Sequence, residues 1–409
     1  MNIKKHLFQI SLLLISVFLF SCDDELDSGN ENPTFSYVVS YEFLETITKE
    51  DVNTRFNSDP LISGFITNDV EAYKVTYNTT NYDNTMVEAS GLVLVPQVTG
   101  KVKLMSFQHS TLAKDNNPAI DQEHRAPSYL SPESAEISLS AVLFASSGFY
   151  VSAADYIGYG TTKDLIHPYE HAETTATASY DMLEAANELR EFLEVEAVSG
   201  TYLIGYSQGG NSTMALHKYM EDNGLTDKFP IKKSAMGAGA YNKTAVGDFI
   251  FNNQEPLGFS LSLYLWVMDT YDKVYPSLEK GLAYYLNEPY ATEVINGGYF
   301  ALSNTNPQEV FTDAFIADIN NPQSAFSQAL ADNDIYDWKA LAPIKLYHSQ
   351  NDGLVPYFNS ADAFEAMNAK GSTDVTFETF TFGESVPVES IHGAGGARFF
   401  TEVVAYYFR

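Results

Sequence analysis

The stretch Gly205-Tyr206-Ser207-Gln208-Gly209-Gly210 decides how the rest of the chain is interpreted. Before it, residues 201–204 form a short apolar and β-branched run that predicts a buried strand, and residues 211–220 after it are typical of a helix. A serine between two such elements sits on a sharp turn, which the flanking glycines leave room to make. The pattern predicts a hydroxyl held clear of the sheet, with the N–H of Gln208 free to stabilise a developing oxyanion.

The first residues are typical of an export signal. Lys4 and Lys5 precede a largely apolar run at residues 7–20, which is short for a membrane span. The run ends in Leu19-Phe20-Ser21-Cys22, which resembles the lipobox of bacterial lipoproteins. That resemblance implies removal of residues 1–21 and lipidation of Cys22, whose lipid would hold the protein to a membrane. A cleaved signal followed by an incidental cysteine is the alternative.

Residues 22–35 predict a polar, acidic linker with no structure of its own. It begins with Asp23-Asp24-Glu25, which resembles the acidic tags that send some lipoproteins to the outer face of an outer membrane. A solvated tether is the simpler interpretation. We therefore expect an exported chain, lipid-anchored to the bacterial outer membrane, with surface display as a hypothesis.

Composition narrows the classes of partner. The formal net charge of −30 argues against nucleic acid, whose phosphates would be repelled. Cys22 is the only cysteine, so the exported part has no disulfide, thiol nucleophile or thiolate metal site. No EF-hand spacing or other ligand cluster is present. We expect no metal and no cofactor, and the sequence does not indicate an oligomeric state.

Strands and helices alternate along most of the chain, after an initial hairpin. The predicted strands are residues 72–79, 87–95, 103–108, 150–154, 202–205, 234–238, 344–349 and 375–382, and the predicted helices are 48–56, 132–147, 169–195, 208–221, 360–369 and 396–408. Repeated strand–helix–strand units predict an α/β fold with a mostly parallel sheet covered by helices on both faces. The regular alternation of strands and helices is interrupted at residues 242–340. We predict that these residues form an inserted helical cap. The core is then 36–241 with 341–409.

A serine hydroxyl needs a histidine base and a carboxylate to orient that base. Asp352 follows a predicted strand in the turn Asn351-Asp352-Gly353, and His392 precedes the last predicted helix on a glycine-rich loop. Both lie downstream of Ser207, at the ends of late strands. His217 falls in the helix predicted directly after Ser207, and His348 falls inside a predicted strand, so His392 is the predicted base. An ordinary turn aspartate is the alternative for Asp352.

The loop after the predicted strand 103–108 should supply a second oxyanion donor. The N–H of Ser110 or of Thr111 is the candidate beside that of Gln208, and the sequence leaves the choice open. His109 is interpreted as a residue that positions this loop and as a candidate at the edge of the pocket. Asp155 is expected to bond its own turn.

Aromatic residues are the remaining candidates for the substrate pocket. Tyr156, Tyr206 and Trp266 are predicted there together with His109, and Tyr159 is an alternative to Tyr156. Further aromatic residues of the insertion suit an apolar acyl chain or a phenolic ester, although most could form the cap's own core. They are Phe249, Phe251, Phe259, Tyr264, Tyr271 and Tyr275.

Together these residues resemble the α/β-hydrolase superfamily, and within it secreted lipase-like esterases. The shared features are Gly-Tyr-Ser-Gln-Gly-Gly, an Asp-Tyr-x-Gly-x-Gly loop at Asp155, a large cap, and the order Ser207, Asp352, His392. One departure is His109-Ser110, where the family has His-Gly. The resemblance implies a serine hydrolase that cleaves carboxylic esters of small molecules, lipids or carbohydrates. A prolyl-type serine peptidase and a polysaccharide acetyl or feruloyl esterase remain alternatives. A binding protein on an inactive scaffold is a third.

Overall fold

A single mixed sheet organises the molecule, and its strand order is β1-β2-β3-β5-β4-β6-β7-β8-β9. The strands are β1 (Val38–Ile47), β2 (Val70–Thr80), β3 (Met86–Pro96), β4 (Val102–Gln108), β5 (Phe149–Ala154), β6 (Ala197–Tyr206), β7 (Ile231–Gly237), β8 (Ile344–Ser349) and β9 (Val375–Phe380). β1, β2, β3 and β5 pair antiparallel in succession. From β5 through β9 every pairing is parallel. The predicted α/β architecture is confirmed.

The computed structural model describes residues 35–112, 125–132 and 134–408, which belong to one compact unit, Phe35–Arg409. The predicted signal (1–21), the predicted lipidation site Cys22 and the predicted linker up to residue 34 lie outside the described residues. Among the helices within these ranges, none combines the length and apolar character needed to cross a bilayer.

Helices cover both faces of the sheet and fill the long connection before β8. They are α1 (Lys49–Arg55), α2 (Pro60–Ser63), α3 (Val142–Ser146), α4 (Ala172–Phe192), α5 (Gln208–Asp222), α6 (Lys243–Phe251), α7 (Phe259–Val274), α8 (Leu282–Tyr285), α9 (Tyr290–Gly297), α10 (Pro307–Val310), α11 (Asp313–Ile319), α12 (Ala325–Asp332), α13 (Phe358–Ala369) and α14 (Val388–Glu402). Short π-helical segments, Glu136–Ala141 and Val403–Tyr407, precede α3 and follow α14.

Strand β1 has no counterpart among the predicted strands. It pairs antiparallel with β2 at the edge of the sheet, and most of its residues are exposed. Tyr41 and Phe43 are among these exposed side chains, so the strand lacks the buried, alternating pattern from which a strand is recognised. An edge strand of this kind is specified by backbone pairing more than by side-chain burial.

The seven helices α6–α12 between β7 and β8 bury aromatic side chains largely against one another. Phe251 packs edge-on against Phe311 and Phe315, at 4.9 Å between ring centroids in each case. Tyr285 contacts Phe315 at the same separation. These rings belong to a buried cluster that is separate from the clusters beneath the sheet.

Candidate active site

Ser207 sits at the junction of β6 and α5 in a backbone conformation that side chains rarely adopt, with φ +58° and ψ −124°. A non-glycine residue held there costs on the order of 1–3 kcal/mol, which the surrounding structure must offset. The N–H of Ser207 donates to the carbonyl of Gly237 on the neighbouring strand β7, at 2.8 Å. That bond fixes the turn against the sheet and holds the hydroxyl at its carboxyl edge.

Close backbone contacts explain the glycines of the elbow, which is the tight turn at Gly205–Gly209 that carries Ser207. A Cβ on Gly205 would lie 2.2 Å from the carbonyl oxygen of Gly209, and a Cβ on Gly209 would lie 2.1 Å from the carbonyl oxygen of Gln108. Neither acceptor can move without moving a strand or a helix. The second contact also shows that α5 begins directly against the loop that follows β4.

Three side chains that are distant in sequence meet at this edge. Nε2 of His392 lies 2.8 Å from Oγ of Ser207, and Nδ1 of His392 lies 2.7 Å from Oδ2 of Asp352. The carboxylate of Asp352 is fully buried, whereas the imidazole of His392 is 12% exposed. The three residues that the sequence singled out therefore form a continuous hydrogen-bonded chain, the geometry in which an imidazole can take a proton from a hydroxyl.

His392 lies inside α14 and not on the flexible loop that the sequence predicted. Helix α14 begins at Val388, and Gly395 and Gly396 fall within it. The predicted helix starts only at Gly396 and leaves Gly395 in the loop before it, but a Cβ on Gly395 would come within 2.5 Å of the hydroxyl oxygen of Tyr206. That hydroxyl donates to the carbonyl of His392 at 2.8 Å. The glycines let the helix approach Tyr206 and hold His392 in place.

Asp352 is held ionised by its surroundings. Burial alone would raise the pKa of its carboxyl, but hydrogen bonds and charge interactions from His348 and His392 hold that pKa well below its usual range. Oδ1 accepts from the backbone N–H groups of Leu354 and Val355, at 2.8 and 3.1 Å. His348 approaches from within β8, with Nε2 3.5 Å from Oδ2. Sequence reasoning placed His348 in a strand and gave it no part in the site.

The N–H groups of Ser110 and Thr111, the two candidate oxyanion donors in the loop after β4, differ in their hydrogen-bond partners. The N–H of Ser110 donates to Oε2 of Glu136 at 2.9 Å. Oγ1 of Thr111 lies 2.8 Å from the hydroxyl of Tyr169, and among the described residues the N–H of Thr111 meets no acceptor. The N–H of Gln208 heads α5 and is likewise unpaired within those ranges.

His109 is a buried support of this loop. Nδ1 lies 2.7 Å from the carbonyl of Ser110, Nε2 lies 3.2 Å from the carbonyl of Asp155, and the ring stacks on Tyr156 at 4.1 Å. Burial lowers the pKa of His109 to about 4. The imidazole is therefore neutral at neutral pH.

Asp155 bonds across elements and does not simply close its own turn, as the sequence suggested. Its Oδ1 accepts from the N–H of Ser128 at 2.7 Å, and Oδ2 accepts from the hydroxyls of Ser90, at 2.6 Å, and of Ser128. The carboxylate thus joins β3, β5 and the turn at residue 128. Its role is structural.

A cavity of about 550 Å³ opens over Ser207 and His392. Most of its lining surface is apolar, and Tyr206 and Phe400 contribute to it together with Phe259 and Leu263 from α7. Besides Ser207 and His392, its polar lining residues include Ser110, Thr111, Arg125, Glu136 and Ser140. An ester with an apolar chain and one polar end fits such a lining.

Three of the four predicted pocket residues do not line this cavity. Tyr206 does, but His109 is buried within the loop after β4 and Tyr156 is buried against it. Trp266 lines a separate cavity of about 430 Å³. Trp266 stacks on Tyr169 at 4.2 Å. The aromatic character of a residue does not show whether its side chain packs in the core or lines the cavity. Of the further aromatic candidates, Phe259 lines the main cavity, and most of the others are buried among α6–α12.

Within the described ranges no three of the metal-ligating side chains His, Cys, Asp and Glu come together as a metal site would require. The chemistry of the site is that of a hydroxyl, an imidazole and a carboxylate, with backbone N–H groups beside them.

Comparison with known proteins gives the same class. The sequence profile of the secretory lipase family matches residues 130–398, which is more than half of the chain. No curated protein sequence matches.

Solved structures share the fold at low sequence identity. The rice cell wall degrading esterase LipA from Xanthomonas oryzae has 23% identity and a TM-score of 0.77, over 91% of this chain and 98% of that one. A Legionella pneumophila protein has 23% identity and a TM-score of 0.75, over 91% and 99%. Candida antarctica lipase A has 16% identity and a TM-score of 0.63, over 90% and 81%.

The sheet order and the strained serine after β6 define an α/β-hydrolase with the architecture of lipases and esterases. The chain belongs to the secretory lipase family. It is therefore an enzyme that hydrolyses carboxylic esters, and membership of a secretory family indicates that it is exported.

Proposed function

We propose that the chain is a serine esterase in which Ser207 is the nucleophile, His392 the general base and Asp352 the residue that orients the base. Ser207 attacks the ester carbonyl while His392 takes its proton, and the oxyanion that forms is stabilised by the N–H groups of Gln208 and Thr111. The alcohol leaves with the proton from His392. Water activated by His392 then releases the acid from the acyl-enzyme.

The 2.8 Å contact between Nε2 of His392 and Oγ of Ser207 carries the proposal. The test is hydrolysis of p-nitrophenyl esters, with mass spectrometry after reaction with a fluorophosphonate probe. Ser207→Ala should lose the label and at least about a thousandfold of kcat, because triad members act as a unit. Ser147→Ala, a serine at the end of α3 away from the cavity, is the matched control. An unlabelled Ser207 in active protein would refute the assignment.

A second candidate substrate is an acetyl or feruloyl ester on polysaccharide. It is favoured by the fold similarity to LipA, which is described as a rice cell wall degrading esterase. Rates on acetylated xylan and methyl ferulate, compared with p-nitrophenyl esters of graded chain length, distinguish it from a lipid esterase. Membership of a lipase family favours esters over the peptide bonds of a prolyl-type peptidase. A proline p-nitroanilide in the same panel tests that alternative.

We also propose that residues 242–340 act as a cap that selects the substrate, over a core of residues 36–241 and 341–409. Phe259 and Leu263 support this role because they lie in the insertion and line the cavity over Ser207. Phe259→Ala should change the preferred acyl chain length. Phe249→Ala is the control, since Phe249 is also partly exposed in the insertion but does not line the cavity. Equal chain-length profiles for both variants would refute the assignment.

For the segment outside the described residues, we propose cleavage before Cys22 and lipidation of that residue at the outer membrane. The lipobox-like Leu19-Phe20-Ser21-Cys22 supports this. The Cys22→Ala variant should no longer be found in the membrane fraction, and it should not incorporate an alkyne-tagged fatty acid. Protease shaving of intact cells tests surface exposure. Retention of tagged lipid by Cys22→Ala would refute the site.

A further inference from the structure

A buried carboxyl group that the proposed mechanism does not use stands beside the oxyanion loop. Glu136 begins the π-helical segment before α3 and lines the same cavity as Ser207 and His392. Oε2 accepts the N–H of Ser110 at 2.9 Å, while Oε1 is buried and has no partner among the described residues. Burial raises the pKa of this carboxyl to about 7. A group in this state weakens the fold at neutral pH, so packing alone gives no reason for it.

The contact with Ser110 bears on catalysis because a backbone N–H carries one hydrogen. Once it is donated to Glu136, it is not available to an oxyanion in the cavity. Thr111 follows directly, and its N–H meets no acceptor in the described part of the chain. Glu136 therefore decides which of the two neighbouring N–H groups remains available.

The same contact completes the attachment of the loop. The carbonyl of Gln108 abuts Gly209 in the elbow, and Oγ1 of Thr111 bonds Tyr169. Between these two points, the hydroxyl of Tyr156 donates to the carbonyl of His109 at 3.3 Å, and Nδ1 of His109 lies 2.7 Å from the carbonyl of Ser110. The bond from the N–H of Ser110 to Glu136 is the third restraint, and it is made by a residue that lines the cavity. Loss of this bond would let the backbone of Ser110 shift and would displace the N–H of Thr111 that follows it.

We propose that Glu136 is a positioning residue of the oxyanion hole, which engages the N–H of Ser110 and so aims the N–H of Thr111 at the substrate oxygen. The inference rests on the proposed serine esterase mechanism. It assigns to Glu136 an effect on the transition state with little effect on substrate binding, since the oxyanion exists only after attack.

The experiment compares kcat and KM for a p-nitrophenyl ester, and the Ki of an alkyl boronic acid, in wild type and three variants. Glu136→Met keeps the volume and removes the acceptor, so kcat should fall about ten- to hundredfold with KM within about threefold, as expected for one misplaced donor. The Ki of the boronic acid should rise with the loss in kcat. Glu136→Gln keeps an acceptor oxygen and should stay within about threefold of wild type in all three quantities.

Glu184→Met is the matched control. Glu184 is a buried carboxylate on α4, bonded to Tyr180 and Lys228 away from the cavity. Its removal should change the melting temperature and leave kcat unchanged. If Glu136→Met does not fold, Glu136→Asp takes its place. Aspartate withdraws the acceptor by one methylene, and kcat should fall about tenfold.

The outcomes separate this inference from the function on which it rests. Failure of wild type to hydrolyse esters or to be labelled at Ser207 would refute the proposed function. An active wild type with full kcat in Glu136→Met, or in Glu136→Asp where that replaces it, would refute the role of Glu136 alone. So would a loss in Glu136→Gln equal to that in Glu136→Met, because the acceptor would then not be what matters.

Discussion

The imidazole of His348 lies within 3.5 Å of the carboxylate of Asp352, inside the sheet and out of contact with solvent. Its other nitrogen, Nδ1, lies 2.8 Å from the hydroxyl of Ser360 on α13. The carboxylate thus has an imidazole from β8 as well as the one from α14. Both interactions favour its ionised form.

We predict that His348→Asn raises the pKa of Asp352. Burial opposes ionisation of this carboxyl, and the variant lacks one of the two imidazoles that hold its pKa low. The stability that the ionised carboxylate contributes is lost as pH falls through its folded-state pKa, so acid unfolding of the variant should begin at a higher pH than that of wild type. His217→Asn is the control, because His217 is equally buried but bonds Ser234 and Glu221. An unchanged midpoint of acid unfolding in His348→Asn would contradict the prediction.

We predict that Ser207→Gly is more stable than Ser207→Ala. Glycine adopts φ +58° without strain, whereas alanine keeps the strain of the native residue. The release of about 1–3 kcal/mol exceeds the entropy cost of glycine, about 0.5–1 kcal/mol, so the net gain is roughly 1 kcal/mol. Urea unfolding of the two inactive variants measures it. Equal midpoints would contradict the prediction, because the strain would then be no larger than the entropy cost of glycine.

We predict that Glu136→Gln changes how stability depends on pH. The folded-state pKa of Glu136, about 7, exceeds its ordinary value of 4.5. The fold therefore favours the protonated acid, and the wild type loses this stability as pH rises from about 4.5 through 7. The glutamine variant cannot ionise. Its free energy of unfolding relative to wild type should grow by on the order of 3 kcal/mol between pH 4.5 and 8.

The comparison needs a control because burial also raises the pKa of Asp181, to about 6. Asp181 is present in both proteins, so its effect cancels in the difference between them. A difference that stayed constant with pH would contradict the prediction for Glu136. Chemical denaturation at several pH values supplies the measurement.

We predict that Gly209→Ala destabilises the protein by more than about 3 kcal/mol, since its Cβ would lie 2.1 Å from the carbonyl of Gln108 and neither backbone can yield. Gly100→Ala is the control, because its Cβ would have no neighbour within 4 Å. It should be neutral or slightly stabilising. Thermal melting of both variants tests the pair. Similar losses at the two sites would show that the contact is not responsible.

The parallel part of the sheet could be read from the sequence because buried strands appear as short apolar runs between turns. Residues 344–349, for example, are predicted and observed with the same bounds. The prediction was wrong where burial is absent, at β1, and where a glycine serves close packing and not a turn, at Gly395. A glycine in the sequence does not show whether it serves a turn or the close packing of a helix.

The candidate site divides in the same way. Ser207, Asp352 and His392 occur in motifs with a fixed relation to strand ends, so they could be predicted from the sequence. Glu136 and His348 have no such motif. Their surroundings arise only when the loop after β4 meets the segment before α3, or when β8 lies beside the turn of Asp352. No local pattern contains that information.

The aromatic rings of α6–α12 interlock with each other more than with the sheet. Phe251, Phe311 and Phe315 form a triangle of edge-on contacts, and none of these three contacts involves a residue of the sheet. Sequence drift in this region can therefore proceed while the hydrolytic apparatus stays fixed. Grafting the corresponding segment from a relative onto these strands offers a route to new selectivity, with the point of exchange at the exits of β7 and β8.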